Sequence, residues 1–142
     1  MISREDILER YLDADEQIPL LTIDEFFADN PHEDSIAPNQ RGYGRPDLVE
    51  IAERLTRFEA DADVAWVRVQ LHEEMFDDDY EGVAAESIAI CTSLDEDEVE
   101  ERLDTDSLES DGVWEGMSYD EDDFSDIPAV PEDHRILTMS WD

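Results

Sequence analysis

The residues best suited to chemistry in this sequence are carboxylates, and their densest group is Asp77-Asp78-Asp79-Tyr80-Glu81-Gly82. Asp77, Asp79, Glu81 and Gly82 match the first, third, fifth and sixth positions of an EF-hand calcium loop. The twelfth position, which that chemistry fills with a bidentate glutamate, is Ile88, and the surrounding residues alternate like a strand. Half a motif in the wrong context assigns no metal ligands. His72-Glu73-Glu74 begins like a zinc-peptidase motif, but its second histidine is missing because position 76 is Phe76. A Glu73–Glu86 pair across a hairpin would suit general acid–base work. Yet 43 of 142 residues are acidic, so chance pairs are expected everywhere. His32 and His134 lie far apart with no nucleophile beside them, and Cys91 reads as a small core residue within an apolar run. No phosphate-cradling glycine loop, GxSxG or dinucleotide fingerprint occurs. With no lysine there is no Schiff-base or P-loop chemistry. The expectation is a protein that is not an enzyme, with no catalytic residues, no metal and no cofactor. A metal-dependent hydrolase using carboxylates is the last alternative.

An acidic tip needs a support, and the flanking residues supply one. From Asp63 to His72 the chain alternates, with Val67, Val69 and Leu71 on one side and Trp66, Arg68, Gln70 and His72 on the other. A period of two predicts a strand with one buried face, over 64–75. A second apolar run over 83–92 carries Ile88 and Ile90, and the Gly82-containing loop between them predicts a hairpin. Leu137, Met139 and Trp141 share one side of a C-terminal strand over 135–141, and Val113-Trp114-Glu115 reads as another short strand. Helices are predicted at 4–14 with Ser3 as N-cap, and at 23–28 with a Thr22/Glu25 capping box. Two more follow at 46–59, entered at Pro46, and at 94–104 with a Ser93/Glu96 capping box. The fold expected is one α+β domain over 1–142, its antiparallel sheet built on the central hairpin. Residues 29–45 form a long loop in which Arg41, Tyr43 and Arg45 read as an internal salt-bridge anchor ahead of a binding site.

Charge constrains the partners. Nine arginines against 43 acids give a formal charge of −34. Self-repulsion of that size is screened by salt, and it disfavours nucleic acid and anionic membranes as partners. No run approaches the roughly 18 apolar residues of a membrane span. Met1-Ile2 is followed at once by polar Ser3-Arg4-Glu5-Asp6, so no signal peptide is expected and a cytoplasmic address is. The one cysteine allows no internal disulfide.

Leu20 to Asn30, Ser35-Ile36-Ala37-Pro38-Asn39 and the closing Ser140-Trp141-Asp142 resemble, in scattered pieces, a loosely defined group of uncharacterised acidic bacterial cytosolic proteins. The general style is similar to small acidic immunity proteins of bacterial toxin systems, and the resemblance carries no catalytic residues. Together these readings predict a non-catalytic acidic protein that binds and neutralises a basic partner. That partner would be a nuclease-type toxin, or a DNA-binding protein met by a nucleic-acid mimic. The candidate contact residues are Asp77, Asp78, Asp79, Tyr80 and Glu81 at the tip, and Glu98 and Glu101 on the last helix. Trp114, Tyr119 and Asp122 complete the set. Tyr80, Trp114 and Tyr119 would anchor while the acids steer. The alternative is a cytosolic protein of a salt-loving organism, acidic for solubility alone.

Overall fold

A computed structural model describes residues 1–40 and 44–141 of the chain. Capping decides where its helices begin. Ser3 Oγ accepts the Asp6 N–H at 3.1 Å to open α1 (Arg4–Asp13). At the head of β1 (Ile18–Pro19) the chain turns, and Thr22 and Glu25 then exchange side-chain and backbone bonds to open α2 (Ile23–Phe27). Helix α3 (Leu48–Glu59) starts later than Pro46 predicts, because the Asp47 carboxylate accepts the Glu50 N–H and takes the cap. The last helix is corrected in the same way. Asp95 rather than Ser93 accepts the Glu98 N–H, so the predicted 94–104 becomes α4 (Glu96–Leu103). A carboxylate both caps the free N–H groups and offsets the helix dipole.

The hairpin strands are β2 (Val64–Leu71) and β3 (Ala85–Thr92). With β4 (Gly112–Glu115) and the C-terminal β6 (Arg135–Ser140) they form an antiparallel four-stranded sheet, in the order β2-β3-β6-β4. β1 pairs in parallel with β5 (Phe124–Ser125), a second small sheet that no periodicity announces. The predicted 64–75 strand stops early because His72 Nδ1 accepts the Glu74 N–H and starts a single 3-10 turn, Glu73–Phe76. That turn folds Met75 into the core and stacks Phe76 on Tyr11, with centroids 4.3 Å apart. Burying Met75 and packing Phe76 on Tyr11 outweighs four more residues of strand.

Register sorts the sheet into two unlike faces. Val67 lies opposite Ile90, Val69 opposite Ile88, and these continue into Leu137, Met139 and Val113. This aliphatic face meets the buried stripe Leu48, Ile51, Leu55 and Phe58 of α3 and Val99 and Leu103 of α4. The other face carries Gln70 opposite Ser87, Ala89 opposite Thr138 and Trp66 opposite Cys91. Only one buried face was expected, yet these residues are buried too. The segment from Gly116 to Ala129 crosses this face and satisfies its polar groups. Gln70 Oε1 accepts the Ser118 N–H at 2.9 Å, and Thr138 Oγ1 donates to the Gly116 carbonyl at 2.7 Å. Trp66 Nε1 donates to the Ala129 carbonyl at 3.1 Å. Amides and hydroxyls can be buried here because each finds a partner.

Candidate functional site

The predicted contact residues fall into three groups. The first is the loop between β2 and β3, where Asp77, Asp78, Asp79 and Glu81 are exposed and Tyr80 is half-buried against the core. Arg4 fastens the loop from α1, donating Nη2 to the Met75 carbonyl at 2.7 Å and to the Asp77 carbonyl at 3.3 Å. It binds backbone oxygens, so the carboxylates themselves stay free of it. On its other side the loop faces His32, Glu33 and Ser35 across an open cleft lined also by Tyr80 and Gly82.

The second group is α4 with β4. Glu98 and Glu101 are exposed on the helix, while Glu100 turns inward and accepts the Val113 N–H at 3.3 Å. Trp114, next along β4, is 38% exposed and donates its indole N–H to Ser140 Oγ at 3.1 Å. An indole held by its nitrogen on an edge strand keeps much of its ring in water. The third group is Tyr119 with Asp122. Tyr119 stacks on Phe124, its hydroxyl accepts the Glu73 N–H at 3.1 Å, and burial pushes its pKa up. Tyr119 is therefore partly a strut under the hairpin loop. Asp122 is exposed, and its carbonyl accepts from Gln17 at 2.8 Å.

Glu86 of the expected Glu73–Glu86 pair has another side-chain partner. Glu86 accepts instead from His72 Nε2 at 3.0 Å, while His72 Nδ1 takes the Glu74 N–H, so the ring braces both ends of the loop. That role was hidden in the sequence because it depends on the chain turning at His72. Cys91 lies buried on the Gln70 face, where desolvation raises its thiol pKa away from reactivity. Among the described residues no group of three His, Cys, Asp or Glu is arranged to hold a metal ion. No helix there is long and apolar enough to cross a membrane.

The cations are distributed quite differently from the acids. Arg10 pairs with Glu25, Arg45 with Glu33, Arg68 with Glu59, and Arg102 with Asp61 and Asp63. Arg135 pairs with Glu96, Arg54 donates to the Leu103 carbonyl, and Arg57 to that of Glu53. Every described arginine is thus bonded within the chain. None of Asp77, Asp78, Asp79, Glu81, Glu98, Glu101 or Asp122 takes part in an ion pair among the described residues. Of the predicted loop anchor, Arg45 is such a tether; Arg41 and Tyr43 lie outside the described residues.

Fold and charge together define a small acidic α+β protein, built on an antiparallel sheet with helices on its aliphatic face. The chain belongs to the uncharacterized protein YfbO family, whose profile matches residues 2–139. No curated protein and no solved structure matches it.

Proposed function

We propose that this is a non-catalytic acidic binding protein that captures and neutralises a basic protein. A nuclease-type toxin or a DNA-binding protein fits that description, so the chain would act as an immunity protein or a nucleic-acid-mimicking inhibitor. The observation that carries the reading is the division of charge. Arginines tie the chain internally, while the carboxylates at 77–81, Glu98 and Glu101 on α4, and Asp122 face solvent without cationic partners among the described residues. Such a surface steers a cation-rich partner and repels nucleic acid and anionic membranes. Tyr80 and Trp114 place aromatic surface beside two of these groups, where a partner's side chains would find their anchors.

The test is co-precipitation by the tagged protein from its native host at about 0.15 M salt. A basic protein should be retained, and lost both at about 1 M salt and from the variant Asp77→Asn, Asp78→Asn, Asp79→Asn. Retention of no basic protein overturns the reading.

A second reading is favoured by one observation, that all nine basic residues are arginine and none is lysine. It holds that the acid shell is adaptation to salt. That reading predicts a chain unfolded below about 0.5 M salt and firmly folded above about 2 M. Cooperative melting at about 0.1 M salt would count against it.

A further inference from the structure

We infer that the trough between α2 and α3 seats an amphipathic helix of the basic partner, apolar side inward and cationic residues along its flanks. The inference rests on the proposed function and adds where the partner's apolar anchor goes. Helix α3 carries two apolar faces. Leu48, Ile51, Leu55 and Phe58 are buried under the sheet. Val49, Ala52 and Thr56 recur at the same helical spacing on a different side and line a cleft of about 670 Å³, opposite Phe27 and Ala28. Val49 is 68% exposed, and nothing among the described residues covers it. A β-branched residue in water on a helix contributes little to helix stability. Alanines at 28 and 52 leave the trough shallow enough for another backbone to approach closely.

Three occupants compete, and the surroundings choose among them. A second copy would bring another −34 charge against the first, which opposes pairing at ordinary salt. An added strand is disfavoured because the adjoining edge of β2 is already closed. Leu21 exchanges backbone bonds with Val69, Glu59 Oε2 accepts the Val67 N–H at 2.8 Å, and Arg68 covers the Val67 carbonyl at 2.9 Å. A helix lying along the seam of two helices needs no backbone partner and fits the remaining geometry. The sign of its flanks follows from the rim. Among the described residues, Asp24, Asp29 and Glu53 border the trough against one guanidinium, that of Arg57, which bends back to its own helix at the Glu53 carbonyl.

The probe is a helical peptide of about 15 leucines and lysines with leucine at helical spacing, beside a scrambled peptide of equal composition. At about 0.15 M salt the patterned peptide should shift the amide resonances of Val49, Ala52 and Thr56. Val49→Ser, which leaves the charge unchanged, should weaken it about tenfold, as expected for one buried valine side chain. The scrambled peptide should bind more weakly and be indifferent to that substitution. Shifts confined to the 77–81 loop, or no effect of Val49→Ser, overturn the trough as the seat and leave the basic-partner reading standing. Failure of both peptides to bind overturns the trough as the seat, and the basic-partner reading falls with it only if co-precipitation also retains no basic protein. Sedimentation showing a dimer that Val49→Ser dissociates would assign the trough to a second copy and overturn the inference.

Discussion

Arg45 and Glu33 hold the long loop to the body of the protein, Nη2 of the one lying 2.8 Å from Oε1 of the other. The arginine side chain is 2% exposed, and its Nη1 also donates to the carbonyls of Glu33 and Ile36, each at 2.8 Å. Truncation would take the Arg45 donor from both carbonyls and leave Glu33 Oε1 with the Leu48 N–H. Arg45→Ala should therefore cost about 2–4 kcal/mol in urea unfolding, somewhat below a fully buried pair because Glu33 is partly solvated. Arg45→Lys keeps the charge but loses the fork, and should recover less than half of that loss. A change within about 0.5 kcal/mol for Arg45→Ala would mean the loop is held by something else.

The Gln70–Thr138 bond crosses the sheet under the covering segment, with Nε2 and Oγ1 2.9 Å apart. Thr138→Val removes the acceptor and also the donor to the Gly116 carbonyl, so a loss of about 1–3 kcal/mol is expected. Gln70→Leu alone should cost a similar amount, since the Ser118 N–H then lacks its acceptor. In the double variant the losses should fall short of additive by roughly 0.5 kcal/mol or more. Strict additivity would show that the two side chains act independently.

Acidification should first stabilise the protein and then destabilise it. A formal charge of −34 is relieved as carboxylates take up protons, so the melting temperature should rise from pH 7 towards pH 5 at low salt. Glu25 works in the opposite direction. Burial pushes its pKa up, but the Arg10 guanidinium and the Thr22 N–H hold it, on balance, below the usual carboxylate range. A depressed folded pKa contributes stability above the ordinary glutamate value of about 4.3, and loses it as the pH falls through the folded value. Melting below about pH 4.3 should therefore decline more steeply in the native chain than in Arg10→Gln. Equal slopes in thermal scans would remove Glu25 from the acid transition.

Glu59 guards the open side of β2 by accepting the Val67 N–H, with Arg68 3.5 Å away as its counter-ion. An uncovered edge is a template for another strand. Glu59→Ala should leave the fold intact yet associate at about 1 M salt, where repulsion between chains is screened. Light scattering that shows no growth in mass with salt would place the protection elsewhere, in Leu21 or in net charge.

Most of the architecture was legible because its signals are local. Val67, Val69 and Leu71 alternate, Ser3 and Thr22 sit at the right offset before their helices, and Leu48, Ile51 and Leu55 repeat at helical spacing. Errors came where two residues competed for one local role. Asp95 took the cap assigned to Ser93, Asp47 capped a helix expected to open at Pro46, and His72 ended a strand that its own alternation would have continued. The second buried face was illegible for a different reason. Gln70, Ser87 and Thr138 look solvent-facing in isolation, and only the passage of residues 116–129 over them makes them interior. Of the candidate contacts, the exposure of the 77–81 acids followed from composition. The engagement of the Tyr119 hydroxyl depends on a loop more than 40 residues away in sequence, and no local pattern encodes that.

The covering segment also makes Cys91 a clock. The thiol shares the buried face with Trp66 and Ile136, and it is the chain's single cysteine. A thiol-specific dye can reach it only when the cover lifts or the whole molecule unfolds. If the labelling rate matches global unfolding, the cover and sheet open as one unit. If it is faster, the Gly116–Ala129 strap detaches on its own, with a frequency that can be read directly from the dye's uptake.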